Sequence, residues 1–211
     1  MFTSALRHLV LVTSLALFAG GIARGDDPKP NEKQVDDKKV ELKVGDKAPE
    51  FCLRNDQDRM WKSADHYGQK WVVVYFYPGD FTPGCTAQAN AFKDAMTKLA
   101  EQGIEVVGVS GDLVDTHAKF KKAEQLNFAL LSDGHGTVAR KFGVPFNKGA
   151  TVKVRAKPPA TEGFEFERPG TAARWTFVVG QDGTIAYKNM KVTPAADAKA
   201  VSEFIANADK K

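Results

Sequence analysis

The sequence predicts an α/β protein, a mixed central β-sheet flanked by helices, and three observations carry that reading. Residues 71–77 (WVVVYFY) and Ile104–Ser110 (IEVVGVS) are continuous apolar, β-branched runs, the composition of strands buried on both faces. A segment with helical spacing lies between them, long enough for the crossover that parallel strands require. Residues 175–180 and 184–188 instead flank Gln181-Asp182-Gly183, and Asp-Gly favours the tight turns of hairpins, which adds an antiparallel pair.

In chain order, residues 1–25 have the form of a secretory leader. Arg7 and His8 precede an apolar stretch at 9–20, and small residues follow at Ala23 and Gly25. The stretch is about a dozen residues, short of the 18 or more that a bilayer span needs; an uncleaved membrane anchor is the competing reading. Residues 26–43 read as a flexible charged tether: 11 of the 18 positions are charged and only Val35, Val40 and Leu42 are apolar, too little to offset the entropy of ordering. The folded domain is expected over 44–211, in a protein exported to a periplasmic or extracellular space without stable membrane insertion once the leader is removed.

Within the domain, 50–53 reads as a short strand and 60–63 as its pairing candidate. After 71–77, the Pro- and Gly-punctuated stretch 78–84 turns the chain into a helix expected over 85–101, where Ala89, Phe92, Met96 and Leu99 share a face and Gly103 ends the run. Then follow Ile104–Ser110, a helix at 114–126, a third strand at 128–131 and a short helix at 137–142. Residues 145–171 carry mixed signals: 151–155 reads as a strand, 157–163 as a loop, and 164–168 (FEFER) as an extra edge strand or a pocket rim. After the hairpin, 194–207 reads as a closing helix with Pro near its start. The order β-α-β-α-β, hairpin, helix fits a thioredoxin-like architecture.

Composition narrows the function classes. With 43% hydrophobic and 27% charged residues, collagen-like, coiled-coil and wholly disordered chains are out. A net charge of +4, evenly spread, does not argue for nucleic acid or anionic lipid. Two cysteines exclude a disulfide-dense scaffold and a four-cysteine zinc site; Cys52 and Cys85 stand 33 residues apart with no His at a ligand-like spacing. No cofactor is expected.

The chemistry concentrates in residues 77–86 (YPGDFTPGCT), at the carboxyl end of a buried strand where a helix opens. Cys85 would occupy the first helical turn, where unpaired N–H groups and the positive end of the helix dipole stabilise an anion. A free thiol with pKa about 8.5 is about 3% ionised at pH 7, and lowering it by about two units makes it about 75% ionised. Part of that gain is lost as nucleophilicity falls with basicity, so a fast reaction also needs donors aimed at the charge developing on the leaving atom. Thr82 places a hydroxyl on the same turn, Pro83 stiffens it, and Gly84 lets backbone approach closely. A buried structural thiol is the bland alternative, but the strand-to-helix position on a Thr-Pro-Gly turn argues against it. Gln88 stands where a Cys-x-x-Cys motif would need its second cysteine.

Pro78, Thr82 and Cys85 fall in the spacing Pro-x-x-x-Thr-x-x-Cys, which resembles the active-site signature of the peroxiredoxins, and YFYPGDFTPGCT is similar to their bacterioferritin-comigratory (PrxQ-like) branch. The resemblance runs from about Val44 to Ile205: KVGDKAPEFCL, GVSGD with Thr116-His117, LLSDGHGTVARKFGV, and RWTFVV from Arg174 onward. It implies a thioredoxin-like fold and a thiol-dependent peroxidase that reduces hydrogen peroxide and organic hydroperoxides without metal, haem or flavin. On this resemblance Cys85 is the peroxidatic cysteine and passes through a sulfenic acid. Thr82 hydrogen-bonds peroxide and thiolate, and Arg174 holds the thiolate as an anion and polarises the oxygens. Pro78 shapes the pocket and shields the sulfenic acid. A thioredoxin-like protein or a small thiol is the implied reductant, and a monomer or homodimer the implied state.

One departure matters. The branch often carries a resolving cysteine five residues after the peroxidatic one, where this chain has Asn90. Cys52 is the other possible resolving residue; strand alternation predicts that it faces opposite to Phe51 and Leu53. The expected mechanism is one-cysteine, an external thiol reducing the sulfenic acid. Resolution through Cys52, and a non-enzymatic redox sensor or binding module, are the alternatives. His117 and His135 read as structural, the three tryptophans as core or edge packing, and Lys148, Lys153, Arg155 and Lys157 as a solvated basic face.

Overall fold

The computed structural model describes residues 40–155 and 163–208. In chain order the elements are β1 (Cys52–Asn55), β2 (Met60–Lys62), β3 (Trp71–Phe76), α1 (Pro83–Glu101), β4 (Ile104–Ser110), α2 (Val114–Glu124), β5 (Ala129–Ser132), α3 (Thr137–Lys141), β6 (Phe146–Val154), β7 (Phe164–Ala172), β8 (Trp175–Val179), β9 (Ile185–Asn189) and α4 (Asp197–Ala208). The expected leader at 1–25, the tether as far as residue 39, and most of the expected loop at 157–163 lie outside the described residues. Of the tether's end, Leu42 packs against the core and its carbonyl accepts a hydrogen bond from Lys188 Nζ at 2.8 Å. Among the described residues no helix is long and apolar enough to cross a membrane.

The two apolar runs are neighbours at the centre of a seven-stranded sheet ordered β2-β1-β5-β4-β3-β8-β9. β3, β4 and β5 run parallel, and each outer strand pairs antiparallel with its inner neighbour, so the sheet is mixed, as expected. Alternation along β3 explains why its sequence is apolar throughout. Val72, Val74 and Phe76 face one core with Trp61, Phe142 and Phe177. Val73, Tyr75 and Tyr77 face the other, filled by Ala89, Phe92 and Leu99 of α1 and by Val201 and Ile205 of α4. Burial on this scale supplies most of the driving force for the fold, at about 25 cal/mol per Å² of apolar surface removed from water.

The structure resolves the ambiguity at 145–171. β6 and β7 pair antiparallel over their whole length, from Phe146 opposite Ala172 to Val154 opposite Phe164, as a separate two-stranded ribbon. The strand read at 151–155 is only the end of β6, and FEFER belongs to this ribbon rather than to an edge of the central sheet. The full length of the ribbon and its pairing did not show in the sequence because most of the β6 side chains are exposed, so that strand carries no hydrophobic pattern. Smaller shifts occur at ends: α1 begins at Pro83 rather than Cys85, and α4 at Asp197 after a 3₁₀ turn at Pro194–Ala196.

Candidate active site

β3 delivers the chain to the site, and the turn after it is held by polar groups instead of regular hydrogen bonding. Thr82 is the N-cap residue of α1, with extended dihedrals, and Pro83 takes the first helical position, where no N–H is needed. The Thr82 hydroxyl does not cap the helix; it donates to the Gly79 carbonyl at 3.1 Å. Cys85 therefore lies in the first turn of α1, as expected, with its side chain buried in the core beneath. Pro78 is half-buried at the start of the turn.

Arg174 reaches the same sulfur from a distant part of the chain. Trp175 pairs with Phe76 across the antiparallel β3–β8 ladder, so the residue just before Trp175 sits beside the point where the chain leaves β3. Its Nη2 donates to Cys85 Sγ at 3.1 Å. Gly84 makes room: a Cβ there would stand 3.3 Å from that same nitrogen. Nη1 of Arg174 donates to Gln88 Oε1, one helical turn after Cys85. Gln88 Nε2 in turn donates to Asp197 Oδ2 at 2.7 Å, which also accepts from the Thr176 hydroxyl at 2.7 Å. Burial raises the Asp197 carboxyl above the usual carboxylate range, against the lowering pull of Thr176, Gln88 and Arg174. The guanidinium is thus braced from behind by a buried chain, and it presents a cation to a sulfur in the first turn of a helix.

On the other side of the turn stands a second buried cluster. Asp80 accepts from the Tyr77 hydroxyl at 2.7 Å and from His117 Nδ1 at 2.8 Å. Its backbone N–H donates to Asp112 Oδ2 at 2.8 Å, and its carbonyl accepts from Arg168 Nη2 at 2.8 Å. Arg168 Nε pairs with Asp112 Oδ1 at 2.8 Å. Burial works against protonating His117, but the Asp80 carboxylate, with Asp112 behind it, outweighs that and raises the imidazole above its ordinary value. Phe81, next in the chain, adopts a left-handed φ of 60°, unusual for a bulky residue.

Cys52 is not part of this constellation. It opens β1 opposite Lys62, exposed, while Phe51 is buried and Leu53 half-buried, the alternation expected of a strand. β1 is three strand steps from β3, about 14 Å at the usual interstrand spacing, whereas disulfides need Cα atoms within about 7 Å. Cys85 lies toward β8, the opposite direction. Both cysteines are free. Among the described residues no group of three or more His, Cys, Asp or Glu side chains could hold a metal ion.

Sequence reasoning missed Gln88, Asp112, Arg168 and Asp197, and read His117 only as structural. Asp80 and Asp112 did carry a signal, since each follows a Gly just beyond the carboxyl end of a buried parallel strand, where sites collect. Arg168 and Asp197 carried none.

A family model, the AhpC/TSA family, matches residues 44–188. Peroxiredoxin Q, chloroplastic, of Oryza sativa subsp. japonica is 41% identical over 143 residues, 68% of this chain and 57% of that protein, so the chain spans little more than half its length. The crystal structure of peroxidoxin BcpB from Mycobacterium tuberculosis is 31% identical with a TM-score of 0.63, covering 79% of this chain and 98% of that one. Bacterioferritin comigratory protein of Xanthomonas campestris is 27% identical with a TM-score of 0.61, covering 79% and 98%. These neighbours bear out the thioredoxin-like fold expected above. With residues 44–188 matched by the family model, the chain belongs to the AhpC/TSA family, among the peroxiredoxins of the Q and bacterioferritin-comigratory branch.

Proposed function

We propose that this chain is a thiol-dependent peroxidase that reduces hydrogen peroxide and organic hydroperoxides. The observation that carries the reading is Arg174 Nη2 at 3.1 Å from Cys85 Sγ on the first turn of α1. The Cys85 thiolate attacks the distal oxygen of the hydroperoxide, and the O–O bond breaks with its electron pair going to the leaving oxygen. Sulfur is oxidised by two electrons to the sulfenic acid, and the alkoxide or hydroxide takes a proton to leave as alcohol or water. Arg174 offers the cation that stabilises charge on both the sulfur and the departing oxygen. Thr82, whose hydroxyl donates to Gly79, retains lone pairs that can accept from the hydroperoxide O–H. Pro78, half-buried at the start of the turn, shapes the pocket and shields the sulfenic acid from further oxidation. Organic hydroperoxides are included because the Xanthomonas campestris neighbour is described by its alkyl peroxide reduction activity.

The catalytic cycle closes without a second cysteine of this chain. The side chain at the usual resolving position, Asn90, is engaged with Glu124 at 3.0 Å, and Cys52 is on a distant strand. One external thiol condenses with the sulfenic acid, releasing water and leaving a mixed disulfide. A second thiol, of the same small molecule or of a thioredoxin-like protein, displaces Cys85 as thiolate. The pattern of residues 1–25 supports export to a periplasmic or extracellular space, where this reductant would have to be present.

Sustained peroxide consumption by the purified chain with excess dithiothreitol, abolished by Cys85→Ser, is the expected result. Consumption that stops after one equivalent would overturn it in favour of a redox sensor. Non-reducing intact mass after one equivalent of peroxide tests the one-cysteine cycle: gain of one oxygen supports it, and loss of two hydrogens, a Cys52–Cys85 bridge, contradicts it.

A further inference from the structure

The loop that precedes Cys85 is gripped from outside its own element, and one grip comes from the β6–β7 ribbon. The peptide flanks of Asp80 are held on both sides: Asp112 accepts its N–H and Arg168 donates to its carbonyl, each at 2.8 Å. Arg168 is itself 6% exposed and ion-paired to the same Asp112, so one guanidinium ties β7, the segment after β4 and the loop into a single unit. Two parallel, charge-assisted contacts from a planar fork are what Arg supplies and Lys does not.

Steric fit points the same way. Gly79 has φ of 154°, and a Cβ there would lie 2.2 Å from Arg168 Cζ and from Arg168 Nε. The guanidinium therefore lies directly against the Gly79 backbone, and Gly79 is the residue whose carbonyl receives the Thr82 hydroxyl. Phe81 is wedged among Phe120 at 5.1 Å, Phe164 at 5.1 Å and Phe166 at 6.2 Å, the last two also from the ribbon. A left-handed Phe persists only where its surroundings over-determine it. The contact between ribbon and body is equally tight at Gly111, where a Cβ would meet the Gly170 carbonyl oxygen at 2.1 Å.

We propose that Arg168 is a positioning residue for peroxide reduction. Carried on the β6–β7 ribbon, it fixes the 79–82 loop so that the Thr82 hydroxyl stands where the incoming hydroperoxide needs it. It touches neither sulfur nor Arg174, so its effect is on the alignment of peroxide and not on the anion at Cys85. The inference rests on the peroxidase reading above.

That division sets the experiment. Second-order rate constants with hydrogen peroxide and with iodoacetamide are measured on the whole chain and on Arg168→Met, Arg168→Lys and Gly79→Ala. Iodoacetamide requires only an accessible thiolate, whereas peroxide also requires the aligned loop. Misalignment of about 1 Å in a reacting pair costs about 100-fold, so the expected result for Arg168→Met is a loss of that order with peroxide and an alkylation rate within about twofold of the parent. Arg168→Lys, which keeps the charge but not the fork, should fall between, and Gly79→Ala, which displaces the guanidinium with every polar partner retained, should match Arg168→Met. If Arg168→Met does not fold, the other two variants decide. Equal losses with both reagents, or no loss with either, would overturn the proposal. A parent chain that prefers peroxide no more than free cysteine does would instead overturn the peroxidase reading, which separates the two failures.

Discussion

The surroundings of Cys85 and Cys52 differ in the reverse of what exposure alone would suggest. Cys52 is open to solvent on an outer strand, its cross-strand neighbour the exposed Lys62, whose charge water and salt screen. Cys85 is 1% exposed, yet it has a guanidinium 3.1 Å away and the unpaired N–H groups of a helix start around it. Behind that guanidinium run Gln88, Asp197 and Thr176, and across the turn lie Asp80, Asp112, His117 and Arg168. Reactivity of a thiol follows the stability of its anion and the alignment of its target, both of which require fixed dipoles and charges out of bulk water. The chain builds buried polar networks on both sides of one sulfur and leaves the other exposed on β1.

The largest test of this contrast is Arg174→Ala. It removes the cation that contacts the sulfur, and loss of a preorganised donor of this kind costs about 10²–10³ in rate. We expect a loss of that order in the peroxide rate constant, checked by stopped-flow kinetics. A rate constant within about twofold of the parent would mean that the Arg174 contact does not stabilise the reaction.

Next in size is a pH dependence of stability specific to the Cys85 side. His117 holds its second proton more tightly when folded, because the Asp80 carboxylate outweighs the burial that opposes protonation. The stabilisation it contributes is therefore whole below the unfolded value of 6.5 and is lost as pH rises through the higher folded value. Comparing urea unfolding of the parent and of His117→Gln from pH 5 to pH 9, the parent's advantage should shrink as pH increases. A constant difference would show that folded His117 binds its proton no more tightly than the unfolded chain does.

The smallest expected effect is Cys52→Ser, since exposed substitutions away from such networks usually change stability by less than about 0.5 kcal/mol. Peroxide turnover with dithiothreitol should stay within about twofold of the parent. A large loss would make Cys52 part of the cycle and would require β1 and α1 to approach each other during turnover.

Much of this was legible in the residues themselves. β3 and β4 announced themselves because a strand covered on both faces must be apolar at every position, and Val72 to Phe76 are buried throughout. The helix-opening cysteine was legible because Pro78, Thr82 and Cys85 lie on one continuous turn. Arg174 was reached only by resemblance; 89 residues separate it from Cys85, and nothing local distinguishes it from a surface arginine. The β6–β7 ribbon was legible only in part: 151–155 read as a strand and 164–168 as an edge strand or a pocket rim, but their pairing did not show, because β6 is mostly exposed and carries no hydrophobic pattern.

By itself, then, the sequence determined the sheet's central strands, the position of Cys85 at a strand-to-helix junction, and the absence of a second cysteine on α1. Those features depend on short-range periodicity and spacing, which the chain carries wherever it folds. Only the tertiary structure decided that Arg174 meets Cys85, that Asp197 braces it, that Arg168 grips Asp80 from another ribbon, and that Cys52 stands apart. Which polar group is buried, and against whom, is set by contacts between residues tens of positions apart. Burial of a charge is tolerated only when all of its partners arrive together.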